Sequence, residues 1–352
     1  MGDPVVHDVG GTTLTRLTAT NLVGDAHRDL LMVARGDLTT RVLPGGTVFS
    51  NALTLAIATD VRDATAGDVD GDGIRDLIAT GHFDNAVFVR RGSGNGAFAA
   101  QVSYPVRNHG HFVVVAKLNG DAFDDVIAVH DGSGQPIYVT SWLGSSTGAL
   151  VTAGELATPY FTAKDVATGD FDGDGKIDLV VAMADNRASA LIFRGTGSGT
   201  FEPPTTLPSL AVDPNLSDGT VSVAVGDLNG DGRDDVVLSR WDVANEVVVR
   251  LSTTSGFSAP TRLPLPSPID VGLGDIDGDG KLDMLAANID HGTLSLSKGD
   301  GTGRFGTAES IVAGTSPAWL AVADFNQDGL ADVAVIDQAD HKVRVFLSKR
   351  AS

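Results

Sequence analysis

Apolar residues along this chain come in short runs, either alternating with polar ones or continuous, and polar or glycine-rich turns separate the runs. Near the carboxyl end the order is Trp319-Leu320-Ala321-Val322-Ala323, a polar segment, Asp332-Val333-Ala334-Val335-Ile336, a turn, then Lys342-Val343-Arg344-Val345-Phe346. Upstream units supply the same kinds of run, as in Val223-Ala224-Val225-Gly226, Asp178-Leu179-Val180-Val181-Ala182 and Glu246-Val247-Val248-Val249-Arg250. Several units continue through a turn of alternating glycines ending in phenylalanine (Gly92 to Phe98, Gly195 to Phe201, Gly299 to Phe305), and a looser fourth run follows. Alternation at period two predicts half-buried strands, and the continuous runs predict strands buried on both faces. No stretch has the period of an amphipathic helix, so the pattern predicts an all-β fold.

The polar segment after the first strand of each unit recurs. Asp68-Val69-Asp70-Gly71-Asp72-Gly73-Ile74-Arg75-Asp76 returns as Asp170 to Asp178 and as Asp275 to Asp283, with aspartate at the first, third, fifth and ninth places. Two copies, Asp227 to Asp235 and Asp324 to Asp332, carry Asn229 and Asn326 at the third place, and two more, Asn21 to Asp29 and Lys117 to Asp125, are eroded. Successive first positions are 47, 49, 53, 57, 48 and 49 residues apart, so seven units fill the chain. A period of this length marks a solenoid, a propeller or an array. Seven four-stranded units around an axis make a seven-bladed β-propeller, which leaves only short edges. Blades are expected at about 10–60, 61–108, 109–160, 161–215, 216–266, 267–315 and 316–348 of a single domain. The last unit stops after its third strand. Residues 3–9 are predicted to supply the fourth, because that blade would otherwise present a naked edge.

Oxygen-bearing side chains at alternate places, spaced by glycine, describe a loop around a hard cation. In the second unit the expected ligands are Asp68, Asp70, Asp72 and Asp76, with the carbonyl of Ile74. The corresponding sets are Asp170, Asp172, Asp174 and Asp178 with Lys176; Asp275, Asp277, Asp279 and Asp283 with Lys281; Asp227, Asn229, Asp231 and Asp235 with Arg233; and Asp324, Asn326, Asp328 and Asp332 with Leu330. Calcium takes six to eight oxygens and suits such a cage, whereas magnesium keeps several waters. About five structural Ca2+ ions are expected, bound more tightly where all four side chains are carboxylates. None is expected at the Asn21 loop, where Val23 removes a ligand, or at the Lys117 loop, whose ammonium takes the place of a cation. The alternative is a set of acidic turns that bind nothing, in which uncompensated carboxylates would repel one another.

These loops also account for much of the charge. The chain has 25 basic and 45 acidic residues and a net charge of −20. No basic stripe of the kind nucleic acid requires is visible. The absence of cysteine excludes disulfides and thiolate zinc sites. No apolar stretch reaches the length of a membrane helix. Extracellular calcium would fill weak loops and cytosolic calcium would not. A secreted or cell-surface monomer is therefore expected, its export signal removed from ahead of Met1.

The Asp-x-Asp/Asn-Gly-Asp-Gly-x-x-Asp loops and the Gly-x-Gly-x-Gly-x-Phe turns resemble the FG-GAP/VCBS repeat family, which includes the propeller at the amino end of integrin α chains. The resemblance covers essentially the whole chain. It implies a seven-bladed propeller with calcium in the loop joining the first and second strands of a blade. The family serves integrin-type adhesion, fungal lectins and accessory domains of polysaccharide-active enzymes, so membership does not fix function.

Chain direction alternates between strands, which places the metal loops and the glycine-rich turns on one face. The opposite face collects His82, His109, His111, His130, His291 and His341, with Phe83, Tyr104, Tyr160, Phe161, Trp241 and Trp319. Five residues ahead of each first ligand stand Arg16, Asp63, Phe112, Asp165, Ser222, Asp270 and Trp319, expected to face the central channel near its mouth. Their successors, Leu17, Ala64, Val113, Val166, Val223, Val271 and Leu320, are uniformly apolar and should pack between blades. The candidate ligand-binding residues are Arg16, Asp63, Tyr104, His109, His111, Asp165, Trp241, Asp270 and Trp319. A carboxylate ring beside an aromatic suits a sugar, a cation or a peptide amine. The first reading is an extracellular binding module for a glycan or a protein partner. The alternatives are a polysaccharide lyase using Tyr104, Arg107, His109 and His111, a glycosidase using two of Asp63, Asp165 and Asp270, or a purely structural propeller.

Overall fold

The computed structural model describes residues 1–350 except 25–26, 46–48, 50–51, 58, 131–135, 186, 211–218 and 242–243. Among the described residues there is no helix. The strands form seven four-stranded antiparallel sheets and one small hairpin, Ser252–Thr253 with Gly256–Phe257. The second blade shows the plan: an inner strand Val61–Gly67, then Asp76–Gly81, Ala86–Arg90 and an outer strand Val102–Pro105, paired in chain order.

The burial pattern follows from stacking blade on blade. Second strands such as Asp178–Met183 are buried at every residue, because both faces meet a neighbouring blade. This is why they read as continuous apolar runs rather than alternating ones. The core divides into seven apolar clusters, one at each interface between neighbouring blades. Between the third and fourth blades, for example, Ile127 and Val129 meet Leu179, Val181 and Leu191. Each such side chain contributes about 1.5–3 kcal/mol on burial. All seven residues expected between blades, from Leu17 to Leu320, are buried.

The ring closes as the sequence predicts. Strand Val5–Asp8 pairs antiparallel with Lys342–Phe346, in the register Val5 to Val345 and His7 to Val343, and so completes the last blade. Val9, Leu14 and Leu30 then share a cluster with Phe325, Ile336 and Val343.

Candidate functional site

At one end of the propeller lie the acidic loops. In the Asp68 loop, Oδ1 of Asp68 accepts hydrogen bonds from the amides of Gly71 (2.7 Å) and Asp72 (3.1 Å), and Oδ2 accepts from Gly73 (2.9 Å). Gly71 and Gly73 take φ of 75° and 84°, which a side chain would strain. The same bonds recur at Asp170, Asp227, Asp275 and Asp324. In three loops three carboxylates bring ligand atoms within 4.8 Å of one another: Asp68, Asp70 and Asp76; Asp170, Asp172 and Asp178; Asp275, Asp277 and Asp279. That donor chemistry fits a hard divalent cation. Burial pushes the carboxyl of Asp76 up to about 6, offset by the amides of Gly92 and Val69 and reinforced by Asp70 and Asp72. A bound cation would reverse this push.

The ninth aspartate has a role that the sequence did not disclose. Oδ2 of Asp76 accepts from Val69 N at 3.0 Å and Oδ1 from Gly92 N at 3.0 Å, tying the loop to the end of the third strand. The eroded loops do the same. Asp29 accepts from Leu22 and Gly45, and Asp125 from Leu118 and Gly144. This aspartate therefore stands in all seven units, because it holds the blade corner whether or not the loop can hold a metal. At Asp76 each oxygen keeps a lone pair for a cation, whereas Oδ2 of Asp178 also accepts from Arg194 and Oδ2 of Asp29 from both Leu22 and Val23. In the third loop the Lys117 ammonium donates to the Ala122 carbonyl at 2.6 Å and pairs with Asp124 at 3.3 Å, a cation supplied by the chain itself. Asp25 of the first loop lies outside the described residues.

At the opposite end the channel opens into a cavity of about 590 Å³. Its rim is built by a repeated irregularity. Every inner strand carries a β-bulge at its start. The extra residues are Arg16, Arg62, His111, Lys164, Val221 and Ile269, and in the last blade Ala318 and Trp319 together stand opposite Ile336. Every blade places a bulge residue in the cavity wall: those six and Trp319. A bulge turns two successive side chains away from strict alternation, so Arg62 and Lys164 reach the cavity while Asp63 and Asp165 turn beneath it.

Those two aspartates, with Asp270, staple neighbouring blades together at every second interface. Asp63 accepts from Val113 N at 3.1 Å, Asp165 from Val223 N at 3.0 Å and Asp270 from Leu320 N at 2.9 Å. Arg16 crosses the channel floor, with Nη1 on Asp165 at 2.7 Å, Nη2 on the Lys164 carbonyl and the guanidinium 4.5 Å above the Phe112 ring. It does so from φ 53°, a strained backbone for a residue with a side chain. Burial pushes Asp63 up to about 6 against the pull of Arg16. Burial and Asp165 push Asp270 up to about 7.

Of the histidines assigned to this face, three come together at the cavity. The rings of His82 and His109 are 4.1 Å apart and those of His82 and His111 4.9 Å apart. Burial, then Arg62 and the neighbouring imidazoles, lower His82 to about 4. Burial and Arg62 lower His111 to about 4 as well. His130 belongs elsewhere: it is fully buried in strand Asp125–His130, bonded to Thr140 and stacked on Tyr138. Tyr104 sits on an outer strand with its hydroxyl accepting from Leu150 N, away from the cavity. Trp241 and Trp319 line the wall with Phe161, and the Trp241 indole is held by Asp290 at 3.1 Å. Sequence reasoning missed Arg35, Arg62 and Lys164. The last two precede a predicted channel position by one residue, and only the bulge brings them inward.

The FG-GAP-like repeat profile matches residues 68–128, 117–181, 170–238 and 275–335, together about two thirds of the chain. A comparison with curated protein sequences gives no match. Among solved structures, BBS1N in complex with ARL6DN is similar at TM-score 0.66 and 12% identity, over 99% of this chain and 97% of that one. An Agrocybe aegerita lectin that recognises non-reducing terminal N-acetylglucosamine matches at 0.59 and 16%, over 99% and 94%. A streptogramin B lyase matches at 0.61 and 14%, over 99% and 97%. At such low identity these likenesses establish the propeller fold alone.

Proposed function

We propose that this chain, which belongs to the FG-GAP-like repeat family, is a calcium-stabilised extracellular module that binds a glycan in the cavity at the channel mouth. The observation that carries the reading is the composition of that wall: Trp241, Trp319 and Phe161 beside polar groups, around a cavity of about 590 Å³. Concave sites of this size with a few convergent polar groups are the usual form of a small-ligand site. Indole faces stack on the apolar face of a sugar ring, and the histidine and serine side chains match its hydroxyls. Calcium at the far loops would be structural, held by the Asp68, Asp170, Asp227, Asp275 and Asp324 loops. It would neutralise carboxylates and take no part in ligand contact. The protein is secreted or surface-borne on this reading, where calcium is abundant. No helix of the described residues is long and apolar enough to cross a membrane.

One observation favours a second reading, a lyase. Asp270, raised to about 7, is a group able to move a proton near neutral pH, and it shares the cavity wall with three clustered histidines, two of which can accept hydrogen bonds as neutral rings. A glycan array with and without EDTA, run beside an absorbance assay for unsaturated uronates, separates the two. Discrete hits at saturating calcium that Trp319→Ala abolishes support binding, and a rising absorbance supports the lyase. Silence in both, or hits untouched by Trp319→Ala and Trp241→Ala, rejects this cavity as the site.

A further inference from the structure

The acidity of the chain predicts a cavity that attracts cations, and its wall is the reverse. Arg16, Arg35, Arg62 and Lys164 line it, against a single carboxylate among the described residues, Asp270, whose pKa burial raises to about 7. Among the described residues the other nearby carboxylates already have partners, Asp290 holding the Trp241 indole. Asp63 and Asp165 lie beneath the wall on backbone amides and Arg16, and Asp60 pairs with Arg62 at 3.0 Å. Two of the cations are not matched. The Nε of Arg35 is buried without a hydrogen-bond partner, and the Lys164 ammonium forms no ion pair among the described residues. The guanidinium of Arg35 is itself held below its usual range by burial and by Arg62, against the opposing pull of Asp60. Resting on the reading of this cavity as a glycan site, we infer that it selects an acidic oligosaccharide, one whose uronate carboxylate is taken by Arg35 and Lys164 while Trp241 and Trp319 hold the sugar ring.

The three histidines do not make a metal site instead. Only carboxylate groups bring three ligand atoms within 4.8 Å among the described residues, and Arg62 lowers the affinity of both His82 and His111 for positive charge. As neutral rings they donate and accept hydrogen bonds, which suits sugar hydroxyls. A peptide acid would satisfy the cations equally but leaves the aromatic faces without a ring to stack on.

The test uses oligogalacturonate and its fully methyl-esterified counterpart, the same backbone without charge, with a glutamate-rich peptide as the third arm. Binding to the whole calcium-loaded protein is read by titration calorimetry and by tryptophan fluorescence. The acid should bind roughly ten- to hundredfold more tightly than the ester, the usual worth of a hydrogen bond to a charged group. Lys164→Gln, whose amine forms no ion pair among the described residues, should bring the acid down towards the level of the ester. Arg35→Gln should do the same, provided its melting curve matches that of the wild type. Equal affinity for acid and ester, or an acid preference that survives both substitutions, overturns the inference while leaving a neutral glycan site intact. Glutamate peptide binding as tight as the uronate also overturns it. No binding of either sugar rejects the acidic selectivity, and the glycan array then judges the wider reading by itself.

Discussion

Replacing Asp165 with alanine tests whether the channel floor is a structural hub. The carboxylate has two tasks. Oδ1 meets the Arg16 guanidinium at 2.7 Å, and Oδ2 accepts from Val223 N at 3.0 Å across the blade interface. The two charged side chains are 19% and 12% exposed. Breaking a buried ion pair by removing one partner costs about 3–5 kcal/mol, and orphaning a buried amide about 1–3 kcal/mol. Water in the cavity above can reach part of the vacated space, so the lower ends apply and the net loss should be about 4 kcal/mol. Asp165→Asn keeps an acceptor for Val223 and loses only the charge, so it should cost about half as much. Arg16→Met leaves Asp165 and Asp63 without their cation and should also destabilise. The double variant should then lose at least about 1 kcal/mol less than the two singles added, because both remove one interaction. Urea denaturation at fixed calcium, compared through midpoints at equal slope, reads these values. A loss under about 0.5 kcal/mol for Asp165→Ala, or strict additivity with Arg16→Met, would refute the hub.

Three further outcomes follow from the same geometry. Dialysis against EDTA should lower the melting temperature, since each site filled at a hundredfold excess contributes about 2.7 kcal/mol; an unchanged curve would show that the loops bind nothing. Deleting residues 1–9 removes the strand paired with Lys342–Phe346, so the truncated protein should melt lower and associate through the bared edge, and a stable monomer would contradict this. Asp270, raised to about 7 when folded, binds a proton that the unfolded chain releases above about pH 4. Its contribution is therefore full below pH 4 and lost as pH rises through 7. Wild type measured against Asp270→Asn should lose about 2 kcal/mol between pH 5 and pH 8, allowing for the wet cavity, and a pH-independent difference would reject the shift.

The propeller was legible because its information is local and repeated. Continuous runs such as Asp178 to Ala182 announce strands covered on both faces, and the recurring aspartate loops give blade number and order. Even ring closure could be read, since Val5 to Asp8 had no other strand to join. The channel mouth was not legible for one reason. Reading side chains at strict period two sends Asp63 and Asp165 to the channel and Arg62 and Lys164 away from it. A one-residue bulge inverts that assignment. Gly110 is a residue type that can mark a bulge, but none in Ala163 to Asp165 signals one by itself. The ninth aspartate was likewise read only as a ligand, because the amides of Gly92 or Gly195 that it accepts lie sixteen or seventeen residues downstream.

The acidic loops and the cation-lined cavity lie at opposite ends of the inner strands, which keep them apart. An inner strand such as Val61–Gly67 has seven residues, which at about 3.3 Å each spans roughly 23 Å. The screening length at physiological ionic strength is about 8 Å, so the acidic loops are close to three screening lengths from the mouth. A net charge of −20 therefore does not by itself describe the site, where Arg35 and Lys164 stand in the cavity wall without an ion-pair partner among the described residues. The same distance bears on calcium. Filling the loops changes a large charge at the far end without altering the field in the cavity. Any effect of calcium on ligand affinity should then act through the folded fraction and vanish once that fraction is saturated. A calcium dependence of affinity that persists in fully folded protein would mean that the ends communicate through the blades, and the bulge-built mouth would be the element to examine for movement.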